Sequence, residues 1–165
     1  MYTAYDQKKN PNLSNSTLHD SFVFAIGIGN DPAYAEKLRK EFKISDKQVV
    51  RWTIEGFVKA KNVTNLNDLT YKKNFPGYMT VVEACVRHND QELAQIYTNE
   101  IEAIDQKCEA LCLIKKYTEA ADLAAENNDL RMLRKINLLC VNGAMKKHVL
   151  THISAVHERR KNMNV

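Results

Sequence analysis

Chain breakers are scarce in this sequence. Five Gly and three Pro are spread over 165 residues, so helices are permitted almost everywhere. Trp occurs once. No apolar run approaches the ~20 residues that a membrane-spanning helix needs. The polar start, Met1-Tyr-Thr-Ala-Tyr-Asp, leads into no apolar core of the kind a secretory signal carries. Catalytic motifs are missing as well: there is no phosphate-binding P-loop, no nucleophile elbow and no calcium loop. Gly27-Ile-Gly29 lacks the third glycine of a dinucleotide fingerprint and closes a helix instead of following a strand. Glu83 and Asp105 are lone carboxylates with no visible partner, so no acid/base pair can be named.

What is present points to helix. Hydrophobic residues make up 44% and charged residues 27%, the balance of a folded soluble chain with a core. Strand-like alternation is scarce, while Ala, Leu, Glu and Lys recur. The net charge of +4 is scattered as doublets at Lys72-Lys73, Lys115-Lys116, Lys146-Lys147 and Arg159-Arg160. A nucleic-acid binder concentrates such charge on one face, so no nucleic-acid partner is expected. Cys85, Cys108, Cys112 and Cys140 sit in apolar helical contexts and read as buried free thiols of a reducing compartment.

The apolar spacing marks ten helices. Thr17 or Ser16 caps the first, which carries Leu18, Phe22, Ala25, Ile26 and Ile28 and stops at Gly27, Gly29 and Asn30. Asp31 caps the second, with Pro32 at its first position and Tyr34, Leu38 and Phe42 as its buried stripe. Ser45 or Asp46 caps a third bearing Val50, Ile54, Phe57 and Val58. Leu66, Leu69 and Tyr71 mark a short fourth. The fifth to eighth occupy Phe75 to Asn128, lined in turn by Met79, Val82, Cys85 and Val86; by Leu93, Ile96, Tyr97 and Ile101; by Cys108, Leu111 and Cys112; and by Ala120, Leu123 and Ala124. The ninth carries Leu130, Leu133, Ile136 and Cys140, with Asn142-Gly143 as its stop. Met145, Val149, Ile153 and Val156 line the tenth. Turns this short force antiparallel neighbours, and repeated pairs stack as a solenoid. The expectation is an all-α α-solenoid of about ten antiparallel helices stacked as helical hairpins over residues 17–160, with a flexible leader at 1–16 and a tail at 161–165.

Two pairs of metal-capable residues stand at i, i+4 spacing. His148-Val-Leu-Thr-His152 has Val149 where a metalloprotease helix carries its glutamate. Cys108 and Cys112 lie on the apolar face of their own helix. The pairs read as two core cysteines and two surface or half-buried histidines, with no metal and no other cofactor. The alternatives are a small helical metal-binding protein using Cys108/Cys112 and His148/His152, or a helical nucleic-acid-binding adaptor.

Three blocks carry a resemblance. The first is Leu18-His-Asp20 with Asn30-Asp31 and the run Ala35 to Lys47, AEKLRKEFKISDK. The second is Gly77-Tyr78 with Val82-Glu-Ala-Cys85, Asn89 and Ala94. The third is Glu119-Ala-Ala-Asp122 with Ala124 and Asp129-Leu130. In this order the chain resembles the C-terminal region of the vacuolar protein sorting-associated protein 16 family. It departs from the pattern at Val49-Val50-Arg51-Trp52, at Pro76, and at Lys115-Lys116, as a divergent member of either paralogue would. The resemblance implies an α-solenoid fragment with no enzymatic activity. It implies docking of the Sec1/Munc18-type (SM) SNARE-binding subunit, vacuolar protein sorting-associated protein 33, in a HOPS- or CORVET-like tethering complex. The complex would be cytoplasmic and peripheral on late endosome, lysosome or vacuole membranes, supporting vesicle fusion there. Trp52, Phe57, Tyr78 and Arg87 are the expected partner-binding residues, on a face around residues 47–58 and 75–98.

Overall fold

The structure, a computed structural model, describes residues 17–163. The expected leader at 1–16 and the last two residues of the expected tail lie outside the described residues. Among the described residues there are ten α-helices and no strand. They fall into two compact units, one ending at Asp90 and the next beginning at Gln91.

The first unit holds α1 (Leu18–Ile26), α2 (Pro32–Glu41), α3 (Asp46–Lys59), α4 (Val63–Thr70) and α5 (Tyr78–Arg87). Four of these five starts are written in the local sequence. Thr17 and Asp20 form a reciprocal capping box, and Ser45 and Gln48 form another. Asp31 accepts from the Tyr34 amide at 3.0 Å, just before Pro32, and Asn62 accepts from Asn65 at 3.1 Å. Phe22, Ala25, Ala35, Leu38 and Ile44 form one buried cluster, against which Leu18, Tyr34, Val49 and Trp52 pack. Each helix touches its next or next-but-one neighbour in sequence: α1 with α2 and α3, and α3 with α4 and α5.

The α1–α3 contact is set by two glycines. A Cβ on Gly27 would stand 2.3 Å from the Gly56 carbonyl oxygen, and one on Gly56 would stand 3.0 Å from that of Val23. The sequence reading gave Gly27 a stop role only. It does cap α1, donating to Val23, and it also admits the backbone of α3.

The second unit holds α6 (Gln91–Asn99), α7 (Ile104–Leu113), α8 (Tyr117–Glu126), α9 (Leu130–Leu139) and α10 (Gly143–Met163). Again contacts run to the next helix and the next but one, α7 with α8 and α9, and α8 with α9 and α10. Ala120, Ala121, Ala124 and Ala125 are all buried, small side chains that let α8 sit close to its neighbours. Leu133, Ile136, Val149 and Val156 fill the remaining core. This pairing of successive antiparallel helices within each unit is the α-solenoid pattern.

The turns repeat although the sequence does not. After α3, α7 and α8 the chain spends three residues outside helix. The middle one has positive φ: Lys61 at 53°, Lys115 at 63° and Asn128 at 54°. In each turn that residue and its successor donate back to the helix end, as Asn128 does to Ala125 and Asp129 to Ala124. This is the Schellman arrangement. The successor then opens the next helix, and the Asp129 carboxylate accepts from Met132 at 2.9 Å. The same two bonds close α5 at Asn89 and Asp90.

Some stripe positions differ from expectation. Phe42 is 52% exposed, because it is the C-cap of α2 and its side chain emerges beyond the last turn. Tyr71 is likewise the C-cap of α4 and lies exposed. Ile96 is exposed while Tyr97 takes the buried place, and in α5 Val81 is buried beside the expected Val82 and Cys85, with Met79 half-buried. Asn142-Gly143 opens α10 instead of stopping α9: Cys140 caps α9, and Asn142 Oδ1 accepts from the Ala144 amide at 2.8 Å.

Candidate functional site

In the first unit the polar chemistry converges on Glu55. Its side chain, on α3, is only 12% exposed, and a carboxylate so placed needs partners. Three arrive from flanking helices. His19 Nε2 on α1 lies 3.3 Å from Oε2, His88 Nε2 at the end of α5 lies 3.2 Å from Oε1, and Arg87 Nη2 donates to Oε2 at 3.4 Å. Burial alone would raise the Glu55 pKa. The positive charges of Arg87 and His19, with the hydrogen bonds from His19 and His88, outweigh it and hold the carboxyl below its ordinary value.

Trp52 stands one turn before Glu55 on the same face. Its ring meets His19 edge-on at 5.2 Å and Phe22 at 5.6 Å. The site is thus a half-buried indole, a shielded carboxylate and a rim of two imidazoles and a guanidinium, carried by three helices. Such a mix of aromatic and arginine over a well-packed base suits protein recognition. It holds no nucleophile beside a base.

Of the four residues expected to contact a partner, Trp52 and Arg87 lie in this site, both beside Glu55. Arg87 is 53% exposed. Tyr78 opens α5, with its ring on Phe75 at 5.3 Å. Nine residues from Arg87, it faces roughly the opposite way. Phe57 is half-buried and five residues from Trp52, which turns it away from the indole. The four therefore do not form one patch. Glu55, His19 and His88 were missed by the sequence reading. The one available signal was a carboxylate one turn from a Trp on an amphipathic helix.

In the second unit the expected Cys and His pairs stay apart. Among the described residues no metal-capable group combines them. Cys108 is buried, its thiol 3.7 Å from the Ala120 carbonyl oxygen, and Cys112 is half-buried. His148 is exposed and His152 half-buried, but their partner is Asp122 on α8, which the sequence reading named only within the block Glu119–Asp122 and not as a partner of these histidines. Burial raises the Asp122 pKa, and the hydrogen bonds and charges of the two histidines bring it below the ordinary value. Further along α10, Arg159 and Arg160 donate to the carbonyl oxygens of Ala125 and Asn128, beside the C-terminal end of α8, where cations suit the helix dipole.

Comparison with known proteins gives a consistent set of likenesses. The family model described as Vps16, C-terminal region, matches residues 1–158. The chain is 32% identical over 113 residues, 68% of its length, to vacuolar protein sorting-associated protein 16 homolog of Caenorhabditis elegans. It is 34% identical over 119 residues, 70% of its length, to Protein VACUOLELESS1 of Arabidopsis thaliana. Against vacuolar protein sorting-associated protein 16 homolog of Dictyostelium discoideum it is 32% identical over 126 residues, 73% of its length. The chain spans 13–15% of the length of these curated relatives.

Proposed function

The chain belongs to the Vps16 C-terminal region family, and from that premise we propose that it is a non-enzymatic interaction module of a vacuolar protein sorting subunit. In this reading it binds the SM-type subunit, vacuolar protein sorting-associated protein 33, within a HOPS- or CORVET-like tethering complex. The complex would work on the cytoplasmic side of late endosome, lysosome or vacuole membranes. The observation that carries the reading is the family match across residues 1–158. The stacked helices support it, because solenoid layers present extended surfaces suited to large partners. No helix among the described residues is long and apolar enough to cross a membrane. In the proposed reading, the association with the membrane runs through the complex.

The contact face is assigned to the surface of α1, α3 and α5 around Glu55, with Trp52 and Arg87 as its anchors; Phe57 and Tyr78 point away from this face and are not part of it. The test is co-purification of the 165-residue chain with the SM-type subunit. A stoichiometric complex is expected. Two proteins that elute separately at micromolar concentration would remove the reading.

A further inference from the structure

We propose that Asp122, His148 and His152 bind one borderline divalent transition-metal ion of the Zn²⁺ class, which staples α10 to α8. Three donor atoms converge on one point. His148 Nε2 and His152 Nε2 each lie 2.7 Å from Asp122 Oδ1, and the two nitrogens are 3.2 Å apart. The rings stand perpendicular, with centroids 4.6 Å apart, so both nitrogens face the same space without stacking.

Hydrogen bonding alone uses this geometry poorly. For both imidazoles to donate to one oxygen, each must carry its proton on Nε2. Two N–H dipoles of the same sense then lie side by side. A cation in place of those protons takes a lone pair from each nitrogen and a negative charge from the carboxylate. Zn–N and Zn–O bonds of about 2.0–2.2 Å in a tetrahedron put ligand atoms roughly 3.3 Å apart. The His148–His152 separation already meets this. The Asp122 oxygen has to retreat by about half an ångström, which rotation of a side chain that is 50% exposed supplies.

Two imidazoles and one carboxylate suit Zn²⁺ and its neighbours over Mg²⁺ or Ca²⁺, which prefer all-oxygen shells. The ligands sit on rigid helices, the histidines one turn apart on α10 and the aspartate on α8. Three protein ligands leave a coordination position for water. The inference is independent of the partner reading above, since it concerns the second unit alone.

The test is titration of the 165-residue chain with Zn²⁺ against a competing chromophoric chelator, and with Co²⁺ as a spectroscopic probe. One ion per chain is expected, with micromolar or tighter affinity. The Co²⁺ complex should show ligand-field bands but no sulfur-to-cobalt charge transfer. Loss of an outer-shell partner alone weakens metal sites by about 10–100-fold, so His148→Ala, His152→Ala and Asp122→Asn should each weaken binding by at least about tenfold. Circular dichroism identifies the variants that keep their helical content. Asp122→Asn retains the side-chain shape should a histidine variant fail to fold. Zn²⁺ should raise the Tm of the parent chain and leave that of the variants unchanged. The absence of saturable binding at one equivalent overturns the proposal. So does a sulfur charge-transfer band, which would mean that cysteines hold the ion, or unchanged affinity in the folded variants.

Discussion

Glu55 shows how one residue gathers chemistry from three helices. Its carboxylate is shielded and surrounded by Arg87, His19 and His88. Glu55→Gln keeps the shape and removes the charge. It should cost about 1–3 kcal/mol at pH 7, since hydrogen bonds to a buried charged group are lost. Because the folded carboxyl lies below its ordinary value of 4.5, its stabilisation is fully present above that pH. It is lost as pH falls through the folded pKa. Denaturant titrations should therefore show the parent chain's advantage over Glu55→Gln at pH 6–7 and a shrinking gap below about pH 4.5. An unchanged gap at low pH would remove this account. The cysteines make the opposite case. Burial pushes the Cys85 thiol up to about 12 and those of Cys108 and Cys112 to about 11. At pH 8 they should react with a thiol reagent at least about a hundredfold more slowly in the native chain than in denaturant, since only the thiolate attacks.

At the scale of elements, helix ends and one helix crossing control the fold. Gly27→Ala would drive a Cβ to 2.3 Å from the backbone oxygen of Gly56. Backbone cannot swing aside as a side chain can, so α1 and α3 must separate. The expected loss is about 1–3 kcal/mol, read as a lowered denaturation midpoint. The turns carry a contrary prediction. Lys61 and Lys115 hold φ of 53° and 63°, a region that disfavours any residue with a Cβ. Lys61→Gly and Lys115→Gly should each stabilise the chain by roughly 0.5–1 kcal/mol, unlike most substitutions. Thermal melts that fall instead would show that these lysine side chains contribute more than their backbone strain costs.

For the whole molecule, the proposed role rests on a surface, and capture and folding are read separately on each variant of it. Arg87→Glu reverses a charge at the exposed rim and puts a carboxylate opposite Glu55. Trp52→Ala removes the indole from between His19 and Phe22. Under the proposed function, Arg87→Glu should weaken capture of the SM-type subunit by tenfold or more, on the order of 1.4 kcal/mol, while the far-ultraviolet circular dichroism stays helical. Trp52→Ala should also lower the melting temperature, because the indole belongs to the core as well as to the face. Equal capture by parent and Arg87→Glu chains would move the contact away from α1, α3 and α5.

The amino-acid sequence by itself determined the number, order and approximate limits of the helices. Their signals are local: apolar residues at helical spacing, caps such as Asp31-Pro32 and Ser45, and few breakers. Family membership was legible for the same reason, since Gly77-Tyr78, Val82–Cys85 and Glu119–Asp122 lie in short continuous blocks. Local signals failed where position relative to another helix matters. Phe42 and Ile96 fit an apolar stripe and are exposed, because burial depends on what lies opposite. Only the tertiary structure joined His19 to Glu55 across 36 residues and His152 to Asp122 across 30. Those meetings follow from the register between helices, which the three-residue left-handed turns and the Gly27–Gly56 approach set. Register is a property of pairs of helices, and no single segment of the sequence encodes it.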